Sequence, residues 1–91
     1  TMSENYTLPI DSNWTIDDIV TVSAFVDKVL QVYENGVLKV TLLAQYDKFR
    51  QVIPSKSEQK QFDRNFEQQT GFSIYRTIKL AQATTKDRIK V

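Results

Sequence analysis

Apolar side chains recur at intervals of three and four residues along Ile19, Val22, Val26, Val29 and Tyr33, the period of one helix face. Val20, Phe25, Leu30 and Val32 widen that stripe, which predicts a helix central in its bundle or shared with another molecule. Thr15 precedes the stripe and Asp18 follows three residues later, the spacing of a capping box, with Trp14 placed to clamp onto Ile19. Asn35-Gly36 closes this helix and lets Val37 fold back on Val32. A hairpin turn at Asn35-Gly36 is the alternative, disfavoured because the valine-rich flanks lack strict alternation. A second helix from about Leu38 to Val52 buries Leu42, Leu43, Tyr46, Phe49 and Ile53. Its start has no side-chain cap, since neither Leu38 nor Lys39 can supply one.

The middle of the chain is punctuated strongly. Pro54 lacks an amide donor and disfavours helical backbone at Ile53, so the second helix ends by about Val52. Ser55 and Glu58 have capping-box spacing and start a third helix over about 56–70, held inward by Phe62 and Phe66 with Gln59 and Gln69 beside them. Gly71 is suited to the left-handed stop of that helix, with Phe72 returning towards Phe66 in a Schellman turn. Ser73 caps a fourth helix over about 74–83, whose inward side is read as Ile74, Tyr75, Ile78 and Ala81. The short connection makes the third and fourth helices packed neighbours. The expected fold is therefore all-α: one domain, a compact bundle of four helices (about 15–34, 38–52, 56–70 and 74–83). Residues 1–13 form an extended arm that lays Leu8 and Ile10 across the bundle, and 84–91 form a mobile basic tail.

Composition narrows the chemistry. With 91 residues, two Gly and two Pro, long helices with short links are favoured over a loop-rich or β fold. Histidine and cysteine are absent, which closes off imidazole acid–base chemistry, disulfides and the commonest zinc sites. No apolar run approaches the roughly 20 residues that span a bilayer, and the N-terminus lacks a signal-peptide pattern. A cytoplasmic protein without membrane association is expected, with Met2 as its natural first residue and Thr1 an addition ahead of it. The net charge of +1 is unevenly spread: residues 1–36 hold six acids and one Lys (−5), residues 37–91 eleven Lys/Arg and five acids (+6). The halves attract each other, or the basic half offers a face to an acidic partner.

Several segments together resemble the YktA-like family of small bacterial proteins. They are Tyr33-Glu34-Asn35-Gly36-Val37, Tyr46-x-x-Phe49-Arg50, Val52-Ile53-Pro54-Ser55-Lys56, Phe66-Glu67-x-x-x-Gly71-Phe72-Ser73-Ile74-Tyr75-Arg76, and the arm Leu8-Pro9-Ile10-Asp11 with Trp14-Thr15. The likeness covers roughly residues 6–80. It implies a small all-helical cytoplasmic protein of low-GC Gram-positive bacteria and brings no catalytic residues with it. The family tends to carry an acidic or capping residue where Leu38 stands, which bears only on the start of the second helix.

Two groups of residues are candidates for binding a partner. Lys56, Lys60 and Arg64 repeat every four residues along one stripe of the third helix, with Lys48 and Arg50 arriving from the helix before. Such a stripe can lie along phosphates. A solvated face neutralised by Asp63 on Lys60 and Glu67 on Arg64 is the plainer expectation. Tyr75 and Arg76 can grip an anion beside the amides that open the fourth helix. The plainer alternative is a core Tyr75 and an Arg76 paired with Glu67 or Glu34. Asp17-Asp18 lacks further ligands at calcium-loop spacing, so no metal site is read there and no cofactor is expected. The carboxylates available for acid–base work, Asp11, Asp17, Asp18, Glu34, Glu58 and Glu67, mostly have capping or ionic duties, and four short helices leave little room for a drug-sized pocket. The expected function is a non-catalytic interaction module for a protein partner, a second copy of the chain being one candidate. Weak nucleic-acid binding through the third helix is the alternative, and an enzyme the third choice.

Overall fold

The computed structural model describes residues 7–91, so Met2 and the first six residues of the expected arm lie outside the described part. Four helices follow in order, α1 (Ile16–Val32), α2 (Lys39–Val52), α3 (Lys56–Thr70) and α4 (Ile74–Ala83), with two strands of two residues each, β1 (Val37–Leu38) and β2 (Arg88–Ile89). α1 starts as its sequence predicts: Thr15 Oγ1 accepts from the Asp18 amide and Asp18 Oδ2 from the Thr15 amide, each at 3.0 Å. Its broad apolar pattern is explained by position. Val22, Phe25, Val26, Val29, Leu30 and Val32 are all buried, so most of the helix circumference faces other elements. Ile16 and Val20 are left outside.

Aromatic side chains join the helices through the core. Phe25 of α1 stacks on Phe49 of α2 with centroids 4.7 Å apart, and Phe62 of α3 meets Phe49 edge-on at 5.4 Å. Each such pair adds about 0.5–1.5 kcal/mol beyond the area it buries. Phe62 and the fully buried Phe66 are the two apolar anchors of α3, as its narrow seam requires.

The helix junctions differ from expectation in detail. Ser55 Oγ accepts from the Glu58 amide at 3.5 Å, but among the described residues Glu58 makes no return bond to Ser55. Gln59 instead donates to the Ile53 carbonyl at 2.7 Å, tying α3 to the end of α2. Gly71 is left-handed (φ 81°) and its amide donates to the Glu67 carbonyl, the single-bond form of helix stop. The Phe72 amide donates to Thr70 Oγ1, so the Schellman pattern does not form, and the Phe72 ring stacks on Tyr33 at 4.0 Å.

Two segments correct the sequence reading. Residues 84–91, expected as a mobile tail, pack back on the body of the protein. β2 pairs antiparallel with β1 (Val37↔Ile89, Leu38↔Arg88), Ile89 is buried, and the Val91 amide donates to the Val32 carbonyl. This segment also supplies the cap that α2 lacks, because the Asp87 carbonyl accepts from the Lys39 amide at 2.7 Å and Lys39 Nζ donates to the Thr84 carbonyl. In the arm, Leu8 packs against the core while Ile10 is exposed, so only one of the two apolar residues covers the bundle. A pair of bonds between the Thr7 backbone and the Gln69 side chain fastens the arm to the end of α3.

Candidate functional site

The C-terminal end of α2, the length of α3 and the first turn of α4 enclose an open groove of about 870 Å³. Pro54 and the sharp corner at Gly71 force these three elements together, because neither junction leaves slack for a loop. All five candidate partner-binding residues line this groove: Lys56, Lys60 and Arg64 from α3, Tyr75 and Arg76 from α4. Arg50 and Tyr46 enter from α2, and a smaller depression of about 580 Å³ continues past them around Pro54. The space is a groove open along its length and not an enclosed cavity.

The charge arrangement also departs from expectation. The groove brings together five cations (Arg50, Lys56, Lys60, Arg64, Arg76) and two carboxylates (Asp63, Glu67), a net +3. The self-neutralised face does not form. Among the described residues, no ion pair joins Lys56, Lys60, Arg64 or Arg76 to Asp63 or Glu67. Arg50 alone of the five is engaged, 2.5 Å from Asp47 and 4.8 Å over the Tyr46 ring.

Asp63 explains why. Its carboxylate turns from Lys60 to α4, where Oδ1 accepts from the Ile74 amide at 2.6 Å and Oδ2 from the Tyr75 amide and Ser73 Oγ, each at 3.1 Å. Ser73 Oγ in turn accepts from the Arg76 amide, and the Ser73 carbonyl from the Thr77 amide. The opening amides of α4 are therefore satisfied internally, and an anion grip on them, the functional alternative for Tyr75 and Arg76, is not available. The side chains of Tyr75 and Arg76 are free of that duty. Tyr75 is 63% exposed, which overturns its expected place in the core, and Lys79 lies 5.5 Å over its ring. Thr77 occupies the buried position instead, bonded to the Ser73 carbonyl and, at 2.7 Å, to the Tyr33 hydroxyl. The four-residue return from Ser73 to Thr77 was the available signal for that inward placement.

No three His, Cys, Asp or Glu gather among the described residues. Among the same residues, no helix is long and apolar enough to cross a membrane. What the groove can do chemically is hold negative charge against four cations that have no ion-pair partner among the described residues, beside the exposed ring of Tyr75.

Residues 5–90 match the model of the family described as "Uncharacterised protein family (UPF0223)". The chain belongs to the UPF0223 family. UPF0223 proteins similar to it include one from Streptococcus uberis, 41% identical over 85 residues covering 93% of this chain and 92% of the relative. Another, from Bacillus mycoides, is 38% identical over 84 residues, covering 92% and 94%. A third, from Lactococcus lactis subsp. cremoris, is 40% identical over 85 residues, covering 93% and 91%. The YktA-like resemblance carried by the Pro54 and Gly71 junctions is to this same family, UPF0223.

Proposed function

We propose that this UPF0223 protein is a non-catalytic interaction module, and that its groove holds an acidic amphipathic helix of a protein partner. The observation that carries the reading is the set of four cations, Lys56, Lys60, Arg64 and Arg76, brought to one groove with no ion-pair partner among the described residues. The cations of α3 run in line from Lys56 to Arg64, eight residue steps or about 12 Å at a rise of 1.5 Å per residue, the length of two turns of a facing helix. Tyr46 and Tyr75 give that helix apolar surface to rest on, as helix-in-groove recognition requires. A phosphate backbone offers no apolar side chains to set on Tyr46 and Tyr75, as an amphipathic helix does. The cytoplasm is the expected setting, which cell fractionation decides.

The test is a titration of a fluorescent peptide, helical and with acids on one side and aliphatic residues on the other, followed by anisotropy at low and high salt. Binding that weakens with salt is expected, with a loss of at least about tenfold in Lys56→Glu/Lys60→Glu/Arg64→Glu, because rim charges act mainly through complementarity. Failure to bind, or equal binding by the triple variant, contradicts the reading. Single-stranded RNA bound in preference to the peptide would assign the groove to nucleic acid instead.

A further inference from the structure

We propose that the acidic helix the groove accepts is the outer face of α1 of a second copy of this chain, an inference that rests on the groove being a binding site for such a helix. Ile16, Val20, Ser23 and Asp27 follow one another at spacings of four, three and four residues, which places them on one line of α1, and all four are exposed. Ile16 is 79% and Val20 60% exposed, although the large apolar side chains of α1 from Val22 onwards are buried. Asp17 is exposed beside this line, and α1 has no basic residue before Lys28. The face is thus apolar and acidic together, the complement of a groove that is basic and aromatic. Asp17 and Asp27 are ten residues apart, about 15 Å along the helix, comparable with the run from Lys56 to Arg64. The same complementarity is written into the whole chain, whose halves carry −5 and +6.

Because the groove of one copy receives α1 of the next, the contact is heterologous. Every added copy brings both a free groove and a free α1 face, so the assembly grows until its rotation closes a ring. The contact depends on exposed charges, so salt weakens it.

Sedimentation velocity of the full chain tests this over a range of concentrations at low and high salt. The expected result is a mass above the monomer that rises with concentration at low salt and falls to the monomer at high salt. Lys60→Glu/Arg64→Glu and Asp17→Lys/Asp27→Lys should each be monomeric. An equimolar mixture of the two should associate again, since acidic and basic faces then meet in both directions. All four substituted positions are exposed, so the variants should fold, which circular dichroism checks; Lys60→Gln/Arg64→Gln, without reversed charge, should weaken association to a lesser degree. A wild-type monomer throughout, association indifferent to both reversals, or a mixture that stays monomeric overturns the proposal. A wild-type monomer that still binds the acidic peptide overturns it while leaving the groove's role as a module intact.

Discussion

Both carboxylate oxygens of Asp63 are engaged by the first turn of α4, where a single α3 side chain accepts three bonds. Removing an acceptor from partly buried donors costs about 1–3 kcal/mol, so Asp63→Ala should lower the unfolding free energy read from urea titration by an amount in that range, and the midpoint with it. Asp63→Asn keeps one acceptor oxygen and should lose less. An unchanged midpoint for Asp63→Ala would mean that Ser73 alone caps α4. The two glycines make a second comparison. Both have positive φ, 88° at Gly36 and 81° at Gly71, which costs an L-residue about 1–2 kcal/mol. A side chain at Gly71 meets open space, whereas one at Gly36 meets the Ile89 carbonyl oxygen at 3.0 Å, a backbone atom that cannot rotate away. Gly36→Ala should therefore destabilise more than Gly71→Ala in the same denaturation assay; equal losses would show that strand β2 does not press on Gly36.

At the scale of elements, the C-terminal segment has the larger consequence. Ile89 is only 4% exposed, and truncating a buried isoleucine costs about 2–5 kcal/mol. Deleting residues 87–91 should remove that burial and the Asp87 cap of α2 together, lowering stability by at least about 2 kcal/mol and loosening the first turn of α2 in amide exchange. A tail that does not pack would be deleted without effect. The helices themselves were legible because their ends are marked locally: Thr15 with Asp18, Pro54, Ser55, Gly71 and Ser73 each act within a few residues. The strands were not, since a two-residue strand has no alternation to detect and Val37 pairs with a residue more than fifty positions away. The missing cap on α2 was the one visible sign that something non-local completes its start.

At the scale of the molecule, the candidate site was legible in its residues and not in its arrangement. Four-residue spacing put Lys56, Lys60 and Arg64 on one stripe, and Tyr75 and Arg76 stood out at a helix start. That these two groups share one groove follows from the turn at Gly71. That Lys60 lacks its expected partner among the described residues follows from Asp63 serving α4, a contact across ten to twelve residues that helix periodicity does not reveal. The central claim is that this groove receives an acidic helix, and amide-resolved NMR during titration with the acidic amphipathic peptide at low salt tests it most directly. Shift changes should concentrate on the groove residues of α2, α3 and the first turn of α4, and should vanish in Lys56→Glu/Lys60→Glu/Arg64→Glu. Shifts centred elsewhere, or unchanged in that variant, would contradict it.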